Sequence, residues 1–89
     1  MAHTTRNKEK LLVRVRRIAG QVAALEKALS EEDECSKILQ LIAGSRGAMD
    51  GLMAEVLEGH IRLHVANPKA PDRTQATEDL IELIRSYLK

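Results

Sequence analysis

The chain contains almost no aromatic side chains. Among its 89 residues there is no Phe and no Trp, and Tyr87 is the single aromatic residue. Large aromatic side chains normally dominate the energetics of a core, and short chains bury a smaller share of their surface than long ones. We therefore expect one domain, residues 1–89, that is marginal as a monomer and shares its core with other copies, and the helical spacings described below predict that it is all-α.

Cysteine and long apolar runs are equally scarce. The single cysteine, Cys35, excludes an internal disulfide bond and is typical of a protein in a reducing cytoplasm. No segment approaches the roughly 18 to 20 apolar residues of a membrane span, and the charged N-terminus lacks the apolar stretch of a signal peptide. These absences predict a cytoplasmic protein without a membrane partner.

Strand patterns are absent, and helical periodicity replaces them. Apolar residues recur at alternating spacings of four and three, which predicts an amphipathic helix over residues 5–29, capped by Thr4 or Thr5. We call these positions the first seam: Leu11, Val15, Ile18, Val22, Leu25 and Leu29. A seam of this kind packs against other helices.

Two further helices are predicted after the acidic segment 30–34. Its carboxylates favour the first turn of a helix over residues 33–65, and no proline interrupts the chain before Pro68. The two prolines mark a loop over residues 66–72, and a third helix follows over 74–88. The second seam comprises Ile38, Ile42, Ser45, Met49, Leu52 and Val56.

Charge is segregated along the chain. Residues 1–30 carry seven Lys or Arg and two acids, whereas residues 31–89 carry seven bases and eleven acids. Such asymmetry favours a basic surface directed at a polyanion. Four bases form a stripe on the first helix, at spacings that fit phosphate binding, although a solvated charged face has the same pattern: Arg6, Lys10, Arg14 and Arg17. No aromatic residue interleaves them, which disfavours single-strand stacking.

His60 and His64 lie on one helical face, where they could share a metal or simply be solvated. Cys35 is 25 residues from His60, or about 37 Å along a straight helix, and cannot join the pair within one chain. Two antiparallel copies of the helix around a two-fold axis would bring them together. The helices would then cross near residues 48–50.

Small residues crowd that crossing point: Gly44, Ser45, Gly47, Ala48 and Gly51. Glycines weaken a helix interior, so either a second helix approaches closely or the helix kinks or breaks there. A third histidine, His3, lies in the N-terminal tail. If Met1 is removed, His3 adjoins the free amine of Ala2 and becomes a further candidate ligand.

Three segments of the chain closely resemble the CsoR/RcnR/FrmR family of small all-helical bacterial repressors, which respond to copper, nickel or cobalt, or formaldehyde. The segments are "RVRRIAGQVAALEKAL", "ECSKILQLIAGSRGAMDGLMAEVLEGHI" and the closing "LIRSYLK". The resemblance covers nearly the whole chain and is weakest over residues 66–77.

The resemblance implies an antiparallel dimer with a four-helix-bundle core, assembled into a homotetramer. It also implies double-stranded DNA binding, with release when the effector binds. The basic residues that correspond to the DNA contacts of the family are Lys8, Lys10, Arg14, Arg16 and Arg17.

The sensing positions resemble the nickel/cobalt branch, whose set corresponds here to His3, Cys35, His60 and His64. The copper branch has a second cysteine where this chain has His64, and formaldehyde sensors typically have Pro at position 2. One thiolate with several imidazoles also suits Ni(II) or Co(II) better than Cu(I). The implied function is repression of a nickel/cobalt efflux system, with the thiolate and the histidine pair coming from different subunits.

Two alternatives differ in chemistry or class. An aldehyde-responsive repressor would use Cys35 and the N-terminal amine, and a helical scaffold would bind no nucleic acid. An enzyme is disfavoured because no carboxylate stands at a general-base spacing from the histidine pair.

Overall fold

A computed structural model describes residues 7–88, and within this range the chain forms three helices and no strand. We number them α1 (Lys8–Ser30), α2 (Cys35–His60) and α3 (Arg73–Tyr87), with a π-helical turn (Ile61–Val65) directly after α2. The predicted all-α fold with three helices is confirmed. None of the described helices is both long and apolar enough to cross a membrane.

The chain divides into two compact units at residue 54. The first unit contains α1 and α2 as far as Ala54. The second contains the end of α2, the π-helical turn, the loop and α3. Cys35 therefore belongs to the first unit, and both His60 and His64 belong to the second.

The turn that ends α1 is closed by backbone hydrogen bonds. The N–H of Asp33 donates to the carbonyl of Ala28 at 3.0 Å, and the N–H of Glu32 donates to that of Leu29 at 3.2 Å. This is the pattern of a Schellman cap, in which the residue after the helix is left-handed. Glu32 takes that conformation with a φ of 56°, at a cost of roughly 1 kcal/mol because it has a Cβ.

The cap sets where α2 begins. We predicted that the acidic segment would supply the first turn of α2, and this was wrong: no acid lies in that turn, and the helix begins at Cys35. The backbone of residues 31–33 is committed to the cap, so the acids precede the helix. Asp33 still reaches Lys37 across one turn, with 3.1 Å between Oδ2 and Nζ.

The other end of α2 also differs from the prediction of a regular helix to residue 65. Regular α-helical geometry ends at His60, and the N–H of Ala66 bonds to the carbonyl of Ile61 five residues earlier, at 2.7 Å. Single π turns of this kind occur frequently at functional sites. The start of α1 is at Lys8 with Asn7 as N-cap, and the predicted caps Thr4 and Thr5 lie outside the described residues.

Few apolar side chains are fully buried within the described range. Only Ile18, Ala28 and Ala76 are less than one tenth exposed. Several seam positions are about half exposed, and these positions are Val15, Val22 and Leu29 on α1 and Ile42 and Met49 on α2. A single chain therefore leaves much of both seams uncovered, as expected of a protein that shares its core with other copies.

Val22 and Val13 offer a matched test of a shared core, because both lie on α1 and both are 49% exposed. Only Val22 is a seam position. We expect Val22→Ala to lower the free energy of unfolding of the assembled protein by about 1–2 kcal/mol, the loss of two buried methyl groups. Val13→Ala should change it by less than about 0.5 kcal/mol. Thermal unfolding at several protein concentrations measures this, and equal effects would contradict a shared seam.

Candidate functional site

His60 and His64 stand side by side at the end of α2. Their ring centroids are 5.5 Å apart, and both side chains are half-buried. His60 Nε2 lies 3.0 Å from the carbonyl oxygen of Ala76 on α3. Because a carbonyl only accepts, Nε2 must carry the proton in this contact. Nδ1 is then the nitrogen through which the neutral His60 imidazole would bind a metal.

His64 has a different partner on the loop. Its Nδ1 lies 2.9 Å from Oδ2 of Asp72, and the His64 side chain is 15% exposed. The imidazole N–H donates to the carboxylate, and this hydrogen bond holds the pKa of Asp72 below its usual range. Asp72 is also the N-cap residue of α3, yet its side chain makes no capping hydrogen bond. Such a cap typically contributes about 0.5–2 kcal/mol.

The loop that carries Asp72 is tied down at both ends. The Asn67 side-chain oxygen accepts from the N–H of Lys69 at 3.0 Å, and the Asn67 carbonyl accepts from that of Ala70 at 3.1 Å. After the loop, Arg73 Nε donates to the carbonyl of Val65 at 2.9 Å. These contacts join the last residue of the π turn to the first residue of α3, with Asp72 held between them.

A cavity of about 840 Å³ lies between the end of α2 and α3. Both histidines and Asp72 line it, together with Leu63, Pro71 and Gln75. The paired imidazoles therefore face a space that a small ion or molecule can enter.

Cys35 is an exposed free thiol at the first residue of α2. Among residues 7–88, no group of three or more His, Cys, Asp or Glu side chains is arranged to hold a metal. Two imidazoles and one thiolate fit a borderline divalent cation by their chemistry. A complete site would need donors from outside these residues or from a second copy. The candidate ligand His3 lies outside the described residues.

The basic side chains of α1 differ in exposure. Lys8, Lys10, Arg16 and Arg17 are exposed, whereas Arg14 is half-buried. A Cβ on Gly51 would lie 3.3 Å from Nη2 of Arg14, so the guanidinium rests over this glycine of α2. Arg6, the first member of the predicted stripe, lies outside the described residues. Sequence reasoning placed Arg14 among the phosphate-binding residues and missed this contact.

Three glycines of α2 have different surroundings within one chain. Gly51 receives Arg14, and a Cβ at Gly44 would come within 3.9 Å of the Gln21 side chain. Gly47 has open space, with nothing within 4 Å of a built Cβ. A break at these glycines is excluded, since α2 is continuous from Cys35 to His60. Of these three glycines, Gly47 alone has the open space that a closely approaching second helix would require.

Comparison with known proteins finds similarity to a family of transcriptional repressors. Residues 7–86 match the sequence model of a protein family, and that family is described as metal-sensitive transcriptional repressors. A Serratia marcescens protein described as an uncharacterized protein in the bioA 5′ region is 55% identical, over the whole of both chains. The transcriptional repressor RcnR of Salmonella paratyphi B is 44% identical, again over both whole chains.

Among solved structures, the fold matches a variant of the formaldehyde-responsive regulator FrmR from Salmonella enterica serovar Typhimurium. The TM-score is 0.81 at 45% identity, with 92% of this chain and 94% of that one covered. That variant of FrmR carries a histidine in place of a glutamate.

Arg73 provides a test of how the loop is held. We expect Arg73→Ala to speed hydrogen exchange at the amides of Ala66 and Ala70 by about fivefold, because the side-chain bond to Val65 contributes roughly 1 kcal/mol. Arg62→Ala is the matched control, since Arg62 pairs with Glu58 at the surface, 2.9 Å away. Equal exchange rates in the two variants would show that Arg73 does not order the loop.

Proposed function

Because the chain belongs to the family of metal-sensitive transcriptional repressors, we propose that it represses transcription as a homotetramer and leaves its operator when Ni(II) or Co(II) binds. Its family consists of repressors, and the chain is not an enzyme. The observation that carries the proposed choice of metal is the pairing of His60 with His64 in a chain with one cysteine. The centroids of the two imidazole rings are 5.5 Å apart.

The proposed ligands come from two subunits. Cys35 of one subunit would join His60 and His64 of another, with His3 completing the set. A bound divalent cation would supply coordinate bonds that draw these side chains together. Two imidazoles with one thiolate suit Ni(II) or Co(II), whereas Cu(I) prefers softer ligand sets.

Assembly is supported by the uncovered seams of α1 and α2. Half-exposed seam residues such as Val22 and Met49 need an apolar partner, and a second copy presents the same seam around a two-fold axis. We propose that the whole chain, residues 1–89, acts as one cytoplasmic domain in an antiparallel dimer with a four-helix-bundle core. Two dimers would form the tetramer.

DNA binding would occur through α1. The four exposed bases are Lys8, Lys10, Arg16 and Arg17. Arg14 would join them only if its guanidinium leaves its position over Gly51. His3 is five residues before Lys8, so its capture at the metal site would restrain the start of the DNA-binding helix. The metal needs only to favour the DNA-free form, and such coupling is typically about 1–3 kcal/mol.

A formaldehyde-responsive repressor is the second candidate. The observations in its favour are the exposed thiol of Cys35 and the similarity to a variant of FrmR, a formaldehyde-responsive regulator. In that case formaldehyde would join the N-terminal amine and Cys35 of different subunits through a methylene bridge, with its oxygen leaving as water together with one proton from the amine and one from the thiol. Mass spectrometry after mild formaldehyde treatment would find this cross-link, with Cys35→Ala as the control.

Metal should release the protein from its operator. In chelated buffer the protein should bind operator DNA, and Ni(II) or Co(II) should weaken that binding by about 5- to 150-fold. Cys35→Ser should reduce this response, because a hydroxyl is a poor ligand for these metals, while leaving binding in chelated buffer unchanged. Fluorescence anisotropy measures both. Metal-independent affinity in the wild-type protein would contradict the proposal.

The salt dependence of operator binding tests the basic face. A plot of the logarithm of the DNA-binding constant against the logarithm of salt concentration has a negative slope. Each of Arg16→Ala and Arg17→Ala should reduce the magnitude of this slope by about one, because one phosphate contact is lost. Arg85→Ala is the control, since Arg85 is an exposed arginine in the last turn of α3. A slope that falls equally in all three variants would mean that α1 is not the DNA-binding helix.

A further inference from the structure

We infer that Asp72 is a positioning residue of the proposed metal centre: its carboxylate accepts the Nδ1 proton of His64 and so selects Nε2 as the metal-binding nitrogen. This inference deepens the proposed function and rests on it. The contact that carries it is the 2.9 Å distance from His64 Nδ1 to Asp72 Oδ2.

The first support is that Asp72 forgoes its ordinary local role. Aspartate is strongly preferred at helix N-caps because its carboxylate accepts from the exposed N–H groups of the first turn. Asp72 occupies the N-cap of α3, but its side chain makes no such bond. Its backbone carbonyl accepts from Ala76 at 2.8 Å, while its carboxylate is directed to His64. The local sequence alone would have predicted the capping bond.

The second support is that the carboxylate is presented from a closed loop. The turn at Asn67 and the side-chain bond from Arg73 to the Val65 carbonyl restrain the chain on both sides of Asp72. The His64 side chain is only 15% exposed, although Asp72 is about half exposed. The pair is therefore more than a contact between two surface side chains, because His64 is largely enclosed and Asp72 lies in a loop that is hydrogen-bonded on both sides of it.

The chemical consequence concerns the tautomer of His64. A neutral imidazole has one nitrogen that carries a proton and one that can bind a metal. A carboxylate at Nδ1 keeps the proton there, so Nε2 becomes the ligand atom and gains basicity. His60 is held in the opposite way, because its Nε2 lies against the Ala76 carbonyl. The two neighbouring histidines would thus present different nitrogens to one metal.

The test combines a metal-free readout with a binding readout. In ¹⁵N-labelled wild-type protein at about pH 8, long-range ¹H–¹⁵N spectra should show His64 with its proton on Nδ1. In Asp72→Ala, the His64 signals should move towards a mixture of both tautomers. Competition against a chelator should show Co(II) bound about 10- to 100-fold more weakly than in wild type.

Two further variants complete the design. Asp72→Glu keeps a carboxylate and should recover most of the Co(II) affinity and the Nδ1–H tautomer. Glu58→Gln is the matched control, because Glu58 is an exposed carboxylate in the same unit that pairs with Arg62 rather than with a histidine. It should change neither readout.

The outcomes separate this inference from the proposed function. Co(II) binding within twofold of wild type in Asp72→Ala, or His64 with its proton on Nε2 in the wild-type protein, would overturn the role of Asp72 alone. A wild-type protein that binds no Ni(II) or Co(II) would overturn the proposed function, even with His64 in the expected tautomer.

Discussion

The apolar seams of α1 and α2 are only partly covered by the chain that carries them. The chain has no Phe or Trp, and among the described residues only Ile18, Ala28 and Ala76 are less than one tenth exposed in a single copy. Partner helices would remove the exposed seam side chains from water. The same two-fold pairing would bring an isolated thiol near a histidine pair. In the proposed assembly, one constraint on packing therefore governs both stability and sensing.

Sequence periodicity predicted α1 and α2 because the residues of both seams recur at helical spacings, and the prolines of the loop marked where α3 could begin. It failed at the ends of the helices, because backbone hydrogen bonds rather than side-chain patterns determine where a helix begins and ends. The cap around Glu32 commits residues 31–33 to α1, so the acids precede α2 instead of beginning it. The π turn after His60 has no compositional signal at all, because it depends on how Ala66 and the following loop close.

At the candidate site, too, the sequence predicted some features and missed others. The closeness of His60 and His64 follows from their spacing and was predicted. Their partners were not, because Asp72 and Ala76 reach them only through the path of the proline-containing loop. Arg14 was likewise assigned from its place in a basic stripe. The room over Gly51 that receives its guanidinium depends on how α1 and α2 pack.

The Schellman cap has a mechanical consequence. Residues 31–34 are the whole connection between α1 and α2, and hydrogen bonds from Glu31, Glu32 and Asp33 to the last turn of α1 leave little slack in it. Cys35 follows immediately. A displacement of the Cys35 thiol would therefore be passed through these backbone hydrogen bonds to the last turn of α1. The end of α1 and the start of α2 would move together.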